Sequence, residues 1–250
     1  MGKQRGNVDY SQIILSDDYL LTVYGDVYKN FKQIARNLGV TSTKALEIGA
    51  GDFSLAEKYF NQVIKTDIES NKNSKLGKGI DSQQLPYKNN YFDIIIAKDS
   101  LHHFKDPYRS LNEIHRVLKP GGIFIVSEPY WSLLGRLIFK FLHPEKWDTN
   151  PRHVKIESSS PWESNQALLY LLKGKFSKEF KSNVPGLKLN VLNSSYGISY
   201  ALSGGVFART IIPSKFLLLV YKLEKKILLF SKPFVGLNIY AVFIKEIGSL

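Results

Sequence analysis

Between Lys44 and Glu128 four short apolar runs, KALEIG, QVIKTD, FDIIIA and GIFIVSE, alternate with stretches of helical character, and this rhythm constrains the fold more than any other feature. Runs of this length without alternating polarity read as strands buried on both faces. Parallel neighbours need long crossovers, usually helices, so the alternation predicts an α/β fold with a mostly parallel central sheet and helices on both faces. The segment GKGID, residues 77–81, reads as a weaker strand.

The flanks break the rhythm. Apolar positions at helical spacing from Tyr19 to Leu38 predict one or two helices over residues 10–38, stopped at Gly39. The connection ESNKNSKLGK after Ile68 is polar and aperiodic, so the second crossover helix is expected to be reduced or absent. Beyond Glu128 come an amphipathic stretch from Trp131 to Leu142, a polar Pro-containing linker to about Asn165, and a short apolar helix around Ala167 to Leu172. Two late strands, LKLNVL and NIYAVFI, flank a helical segment at Phe216 to Phe230. The expected organisation is one domain: an N-terminal helical segment (1–43), a core (44–130), a helical cap insertion with a late strand (131–236), and a final strand (237–250).

Charge and composition narrow the function classes. The chain has no cysteine, which excludes disulfides, thiolate metal sites and a cysteine nucleophile. Of the net charge of +12, the last hundred residues carry +9, with 14 Lys+Arg against 5 Asp+Glu. Such an excess fits either an acidic partner or a solvated basic surface. The polar opening MGKQRGNVDY carries no secretion signal, and Gly6 stands where a myristoylation pattern wants Ser or Thr. No apolar run reaches the roughly 18 residues needed to cross a bilayer. The expected location is cytoplasmic, with a peripheral place at the inner membrane surface as a further expectation.

In Ala45-Leu46-Glu47-Ile48-Gly49-Ala50-Gly51 an acid closes a buried strand and two glycines occupy the turn after it, where a backbone without Cβ turns tightly and approaches a ligand. An ordinary strand-to-helix turn is the plainer reading. A nicotinamide-binding fingerprint requires glycine at position 54, where Ser54 stands. Asp67 ends the second strand, a place from which a carboxylate accepts from both hydroxyls of a ribose, or simply caps a turn. The segment Gly79-Ile80-Asp81-Ser82-Gln83-Gln84-Leu85-Pro86-Tyr87 follows. Then FDIII, LHHF-x-DP (Leu101 to Pro107) and RVLKPGG (Arg116 to Gly122) run in order.

Together these segments resemble the class I S-adenosylmethionine (SAM)-dependent methyltransferases over about residues 44–130, roughly half the chain, the run from Tyr91 to Gly122 most specifically. Phe53 departs from the family's usual third glycine. The resemblance implies the Rossmann-like class I methyltransferase fold and a SAM site bordered by Glu47, Gly49, Ala50, Gly51, Asp67, Ile68, Asp81, Ser82 and Lys98. Asp67 would meet the ribose and Asp81 the adenine amino group.

Asp99, His102 and His103 follow the fourth strand at its carboxyl end, the edge where open α/β sheets bind ligands. Either histidine is a candidate proton acceptor near neutral pH and Asp99 a candidate for orienting the acceptor; packing against the cofactor is the competing role. His115 and His143 read as packing or surface residues. No histidine–carboxylate spacing suggests a metal, and none is expected. The stretch Trp131 to Leu142, with Arg136 and Lys140, fits a helix packed on its own core or one lying at a membrane. Trp147, Arg152, His153, Trp162, Ser203, Gly204, Gly205 and Arg209 are candidate acceptor contacts. The expected partner is a small-molecule, glycan or lipid-linked acceptor, with association at an anionic membrane second. The alternatives are an RNA-modifying methyltransferase and a non-catalytic SAM-binding scaffold; nucleic acid is less favoured, since Lys98-Asp99-Ser100-Leu101 is no nucleobase-pocket motif, and the intact Glu47, Gly49, Gly51, Asp67 and Asp81 weaken the scaffold reading.

Overall fold

The computed structural model describes residues 10–41, 44–69, 79–158, 160, 163–208 and 210–248. Two helices, α1 (Tyr10–Leu15) and α2 (Asp18–Asn37), come first. Asp17 caps α2 by accepting from the backbone N–H of Tyr19 (2.8 Å) and Leu20 (3.0 Å), the usual way an aspartate satisfies orphan donors. Tyr19, Val23, Val27 and Phe31, each four residues from the next, form its buried stripe. Each of these side chains contributes about 1.5–3 kcal/mol by leaving water, which fastens α2 to the sheet.

The core then runs β1 (Ala45–Ile48), α3 (Ala56–Tyr59), β2 (Val63–Thr66), β3 (Phe92–Lys98), a 3₁₀ turn at Leu101–His103, α4 (Pro107–Val117) and β4 (Leu118–Pro129). It continues with α5 (Leu133–Phe141), α6 (Leu168–Lys173), α7 (Ser177–Asn183), β5 (Leu187–Val191), α8 (Ile198–Ser203), α9 (Ser214–Val235) and β6 (Asn238–Lys245). The six strands lie in the order β2-β1-β3-β4-β6-β5. Only β6 runs against the rest, pairing antiparallel with β4 and β5, so the sheet is mostly parallel and Rossmann-like.

Alternation along the strands divides the apolar residues between two cores. Leu46, Ile95 and Phe124 face α4, α6 and α7, whereas Ile94, Ile96, Ile123 and Ile125 face α2 and α9. Glu47 falls between Leu46 and Ile48 and therefore points to the α2 side.

Three features correct the sequence reading. Gly79–Asp81 form no strand: Ile80 N–H donates to the Asp67 carbonyl (2.7 Å), and Asp81 accepts from Gln83 N–H (2.8 Å), so the segment is a turn beside the end of β2. Residues 77–78, and most of the connection before them, lie outside the described residues. Second, β4 begins before Pro120, because Leu118 pairs with Phe92, and the register then shifts so that Ile123 meets Ile94. Lys119 to Gly122 bulge out of the ladder, which accommodates a proline that cannot donate to it. Third, α5 does not bury all of its apolar residues. Gly135 and Phe139 are covered, but Leu133, Leu137, Phe141 and Leu142 face solvent.

Candidate functional site

The loop after β1 forms one wall of a cavity of about 1110 Å³. Gly49 and Gly51 both have left-handed backbones (φ 69° and 54°). A Cβ on Gly49 would lie 2.0 Å from the Ser100 Oγ, so no larger residue fits there. The loop is tied to β2 by two bonds: Ala50 N–H donates to the Thr66 carbonyl (3.0 Å) and Gly51 N–H to the Asp67 carboxylate (2.9 Å). The other Asp67 oxygen accepts from Glu69 N–H (2.9 Å).

Gly49, Ala50, Gly51, Asp67, Ile68, Asp81, Ser82, Lys98, Asp99, His102 and His103 all line this cavity. Glu47 does not. It is buried behind the loop, where Tyr28 Oη donates to it (2.6 Å) and Ser54 Oγ donates to its other oxygen. Burial raises the Glu47 pKa despite these bonds. Its place makes it a support for the glycine turn through α2, with no direct face on the cavity.

The opposite wall is built at the ends of β3 and β4. Asp99 has a left-handed backbone (φ 49°), unusual for a residue with a side chain and the kind of strain that concentrates at functional sites. Its carboxylate pairs with the Lys98 ammonium, which sits 3.9 Å from the Tyr24 ring centre. Burial is the largest single influence and would lower the Lys98 pKa; the charge and hydrogen bond of Asp99, together with Tyr200 and Tyr240, outweigh it and the net shift is upward, so Lys98 stays cationic. Tyr196 and Tyr200 complete this aromatic wall, and burial raises both phenols well above their ordinary value.

Beside them lies a buried chain of charge. Glu128 is fully enclosed and accepts from Ser100 N–H (3.1 Å), Leu101 N–H (2.8 Å) and His102 Nδ1 (2.5 Å). His102 Nε2 is 3.3 Å from Glu145 Oε2, and His103 Nε2 is 3.7 Å from the same oxygen. Burial would lower the His102 pKa, but the two glutamates overcome it and push it up to about 10. Burial would raise Glu145, and the His102 proton instead holds it well below the carboxylate range.

This corrects one expectation. His102 is an imidazolium at neutral pH with no lone pair to take a proton, so of the two histidines only His103 remains a candidate base. His102, His103 and Glu145 place ligand-type atoms within 4.8 Å of one another, a grouping that could hold a metal ion and that no sequence spacing revealed.

Among the candidate acceptor contacts, Gly204 and Gly205 line the cavity. Trp147 instead stacks between Trp131 (4.6 Å) and Phe139 (5.0 Å), Ser203 is buried at the end of α8, and Arg152 and His153 face solvent. Trp162 and Arg209 lie outside the described residues. Sequence reasoning missed Tyr24, Glu145, Gln166, Tyr196 and Tyr200, and assigned His143 to packing although it lines the cavity. These residues are scattered over α2, the 143–166 linker, the segment before α8 and α8 itself, and no spacing rule joins them.

The sequence profile of the family described as "Methyltransferase domain" matches residues 46–126, the stretch that carries the glycine turn, Asp67, Asp81, Asp99 and both histidines. Over these residues the chain is similar to methyltransferase domains, in agreement with its mostly parallel, Rossmann-like sheet. The chain is 32% identical over 138 residues to the mitochondrial arginine-hydroxylase NDUFAF5 of Danio rerio, covering 49% of this chain and 42% of that one. It is 30% identical over 138 residues to the demethylmenaquinone methyltransferase of Staphylococcus aureus strain JH9, covering 45% and 57%. The chain thus matches about half the length of these relatives. A SAM-dependent methyltransferase from Archaeoglobus fulgidus resembles it with a TM-score of 0.49 at 15% identity, over 92% of this chain and 100% of the other.

The family implies SAM, and the residues present suit it. The ribose hydroxyls and the adenine amino group are donors, and the Asp67 and Asp81 carboxylates that border the cavity are acceptors. The two left-handed glycines leave the loop backbone bare where the nucleoside's amino-acid end would pass.

Proposed function

We propose that this protein moves a methyl group from SAM to a small-molecule, sugar or lipid-linked acceptor by direct in-line displacement. One observation carries the reading: a single cavity is lined both by nucleoside-type acceptors, Asp67 and Asp81, and by the titratable side chains of Asp99 and His103. SAM supplies a methyl group already activated on a sulfonium. The protein's task is then to hold the accepting atom at attack distance, which in well-oriented cases removes roughly 7–11 kcal/mol of the barrier.

The residues divide that task. Asp67, Asp81 and the bare backbone of Gly49 and Gly51 fix the donor's position. Asp99, clamped by Lys98, orients the acceptor's hydroxyl or amine from the end of β3. His103 Nε2 takes the acceptor's proton, and Glu145 at 3.7 Å stabilises the cation so formed. His102, already charged, fixes Glu145 from the other side and serves as a positioning residue. In this reading the positive charge between Glu128 and Glu145 belongs to His102 and to no metal ion.

The acceptor end is apolar as well as titratable, with Ile138, Phe139, Leu142 and Phe207 on its wall. That favours an amphiphilic acceptor, and the name of the Staphylococcus aureus relative, a menaquinone-precursor methyltransferase, supports a small organic one. A cytoplasmic location accords with the absence of cysteine. The test is transfer from tritiated SAM to separate fractions of extracted lipids, soluble metabolites, glycans and RNA. Label in the lipid, metabolite or glycan fraction is the expected result. Label confined to RNA, or to no fraction, contradicts the reading.

A further inference from the structure

We infer that the outer face of α9, together with α5, docks this protein onto an anionic lipid bilayer, with the mouth of the cavity opening toward the lipid. Its last clause rests on the proposed methyl transfer; the docking itself does not. The helix α9 has two apolar stripes where a surface helix of a soluble domain has one. Leu217 and Tyr221, four residues apart, belong to the buried one, and Glu224 follows them on the same face. The second stripe, Phe216, Leu219, Leu223, Ile227, Phe230 and Phe234, recurs every three or four residues and is 52–85% exposed. Its three phenylalanines alone present about 400 Å² to solvent, the size at which an exposed apolar patch marks an interaction site.

Charge selects the occupant. The helix holds five lysines and one acid, Glu224, and that acid is buried, accepting from Gly197 N–H (3.1 Å) and from Ser199 N–H (2.8 Å) and Oγ (2.5 Å). Its solvent face is therefore wholly cationic. Lys215, Lys222 and Lys226 are exposed and fall at i, i+7 and i+11, one helical border of the apolar stripe. The neighbouring helix α5 repeats the pattern, with Leu133, Leu137 and Phe141 exposed, Arg136 and Lys140 among them, and no acid. An apolar stripe bordered by lysines is the composition of a helix that lies in the plane of an anionic membrane surface. No described helix is long and apolar enough to cross a membrane, which agrees with attachment to one face.

The cavity joins this face. Leu142 (78% exposed) and Phe207 (45%) both line it and both meet solvent, so they form its rim, and Leu142 follows directly on the exposed stripe of α5. Glu224 links the remaining wall, since it holds the start of α8, whose Tyr200 and Ala201 line the cavity. An amphiphilic acceptor can thus present its polar end to Asp99 and His103 while its apolar part stays in lipid.

The test is co-sedimentation of the full chain with vesicles of phosphatidylcholine alone and of phosphatidylcholine with phosphatidylglycerol, at low and high salt. Wild type is compared with Lys215→Gln/Lys222→Gln/Lys226→Gln and with Leu223→Ser/Ile227→Ser, all at exposed positions. Strong binding to the anionic vesicles only, reversed by salt, is expected. At about 1 kcal/mol per lysine, the triple variant should bind on the order of a hundredfold more weakly, and the apolar variant should lose binding at any salt. SAM affinity, measured by calorimetry on the same proteins, should not change. Vesicle binding without any methyl transfer would sink the proposed function and leave the docking intact. Recovery of wild type in the soluble fraction under every condition, with SAM affinity normal, would overturn the docking. So would a stable dimer in gel filtration that Leu223→Ser/Ile227→Ser dissociates, since the face would then be an interface between copies of this chain.

Discussion

Replacing Glu128 by glutamine isolates the buried charge chain in one step. The carboxylate takes two backbone donors and His102 Nδ1, all within 3.1 Å, and is inaccessible to water. A glutamine oxygen can still accept from Ser100 and Leu101, but no negative charge then faces the imidazolium. Removing one partner of a buried pair costs about 3–5 kcal/mol. The pH dependence gives the same scale independently. His102 has its pKa raised from 6.5 to about 10 by folding. Below pH 6.5 the ring is protonated in both the folded and the unfolded chain, and its stabilisation is complete. Above that the unfolded chain releases the proton while the folded chain keeps it, so stability falls by about 1.4 kcal/mol per pH unit until the folded value is passed, about 5 kcal/mol in all. Urea unfolding followed by tryptophan fluorescence at pH 6, 8 and 10 measures both quantities. Wild type should exceed Glu128→Gln by several kcal/mol at pH 6, and the gap should narrow steadily toward pH 10, where titrations shared by both proteins cancel. A gap that is absent at pH 6, or one that does not narrow, would refute a cationic His102.

Other outcomes follow from single contacts. Gly49→Ala puts a side chain into a left-handed backbone, costing roughly 1–2 kcal/mol, and into the Ser100 Oγ as well, so thermal unfolding should show it clearly destabilised. Asp67→Ala should weaken SAM binding in calorimetry by about 1.5–3 kcal/mol, the scale of hydrogen bonds to a charged group; unchanged affinity would remove Asp67 from the cofactor site. His103→Ala should lower kcat by about 10²–10⁴ with SAM affinity preserved, whereas an equal kcat would assign proton transfer elsewhere.

The main buried strands, the glycine turn and the row of carboxylates were legible because each is local. Buried strands need apolar runs, a turn against Ser100 needs glycine, and a carboxylate that ends a strand lands at the ligand edge. Glu47 shows the limit: its place in the motif is the family's, yet Tyr28, nineteen residues earlier on α2, decides that it supports the loop from behind. His102 shows another, since its charge depends on Glu128 and Glu145, which approach it only through the fold of β4 and the linker after α5. The exposed stripe of α9 was readable as hydrophobic spacing. Which of its faces the sheet would cover was not, because Leu217 and Tyr221 are as apolar as Leu219 and Leu223.

The central claim, that the cavity beside the β1 loop is a SAM site, is tested most directly by calorimetric titration of the purified chain with S-adenosylhomocysteine and, separately, with NAD. Saturable binding of the first, weakened by Asp81→Asn, and no binding of the second are expected. Saturation by NAD, with no heat from S-adenosylhomocysteine at millimolar concentration, would contradict it.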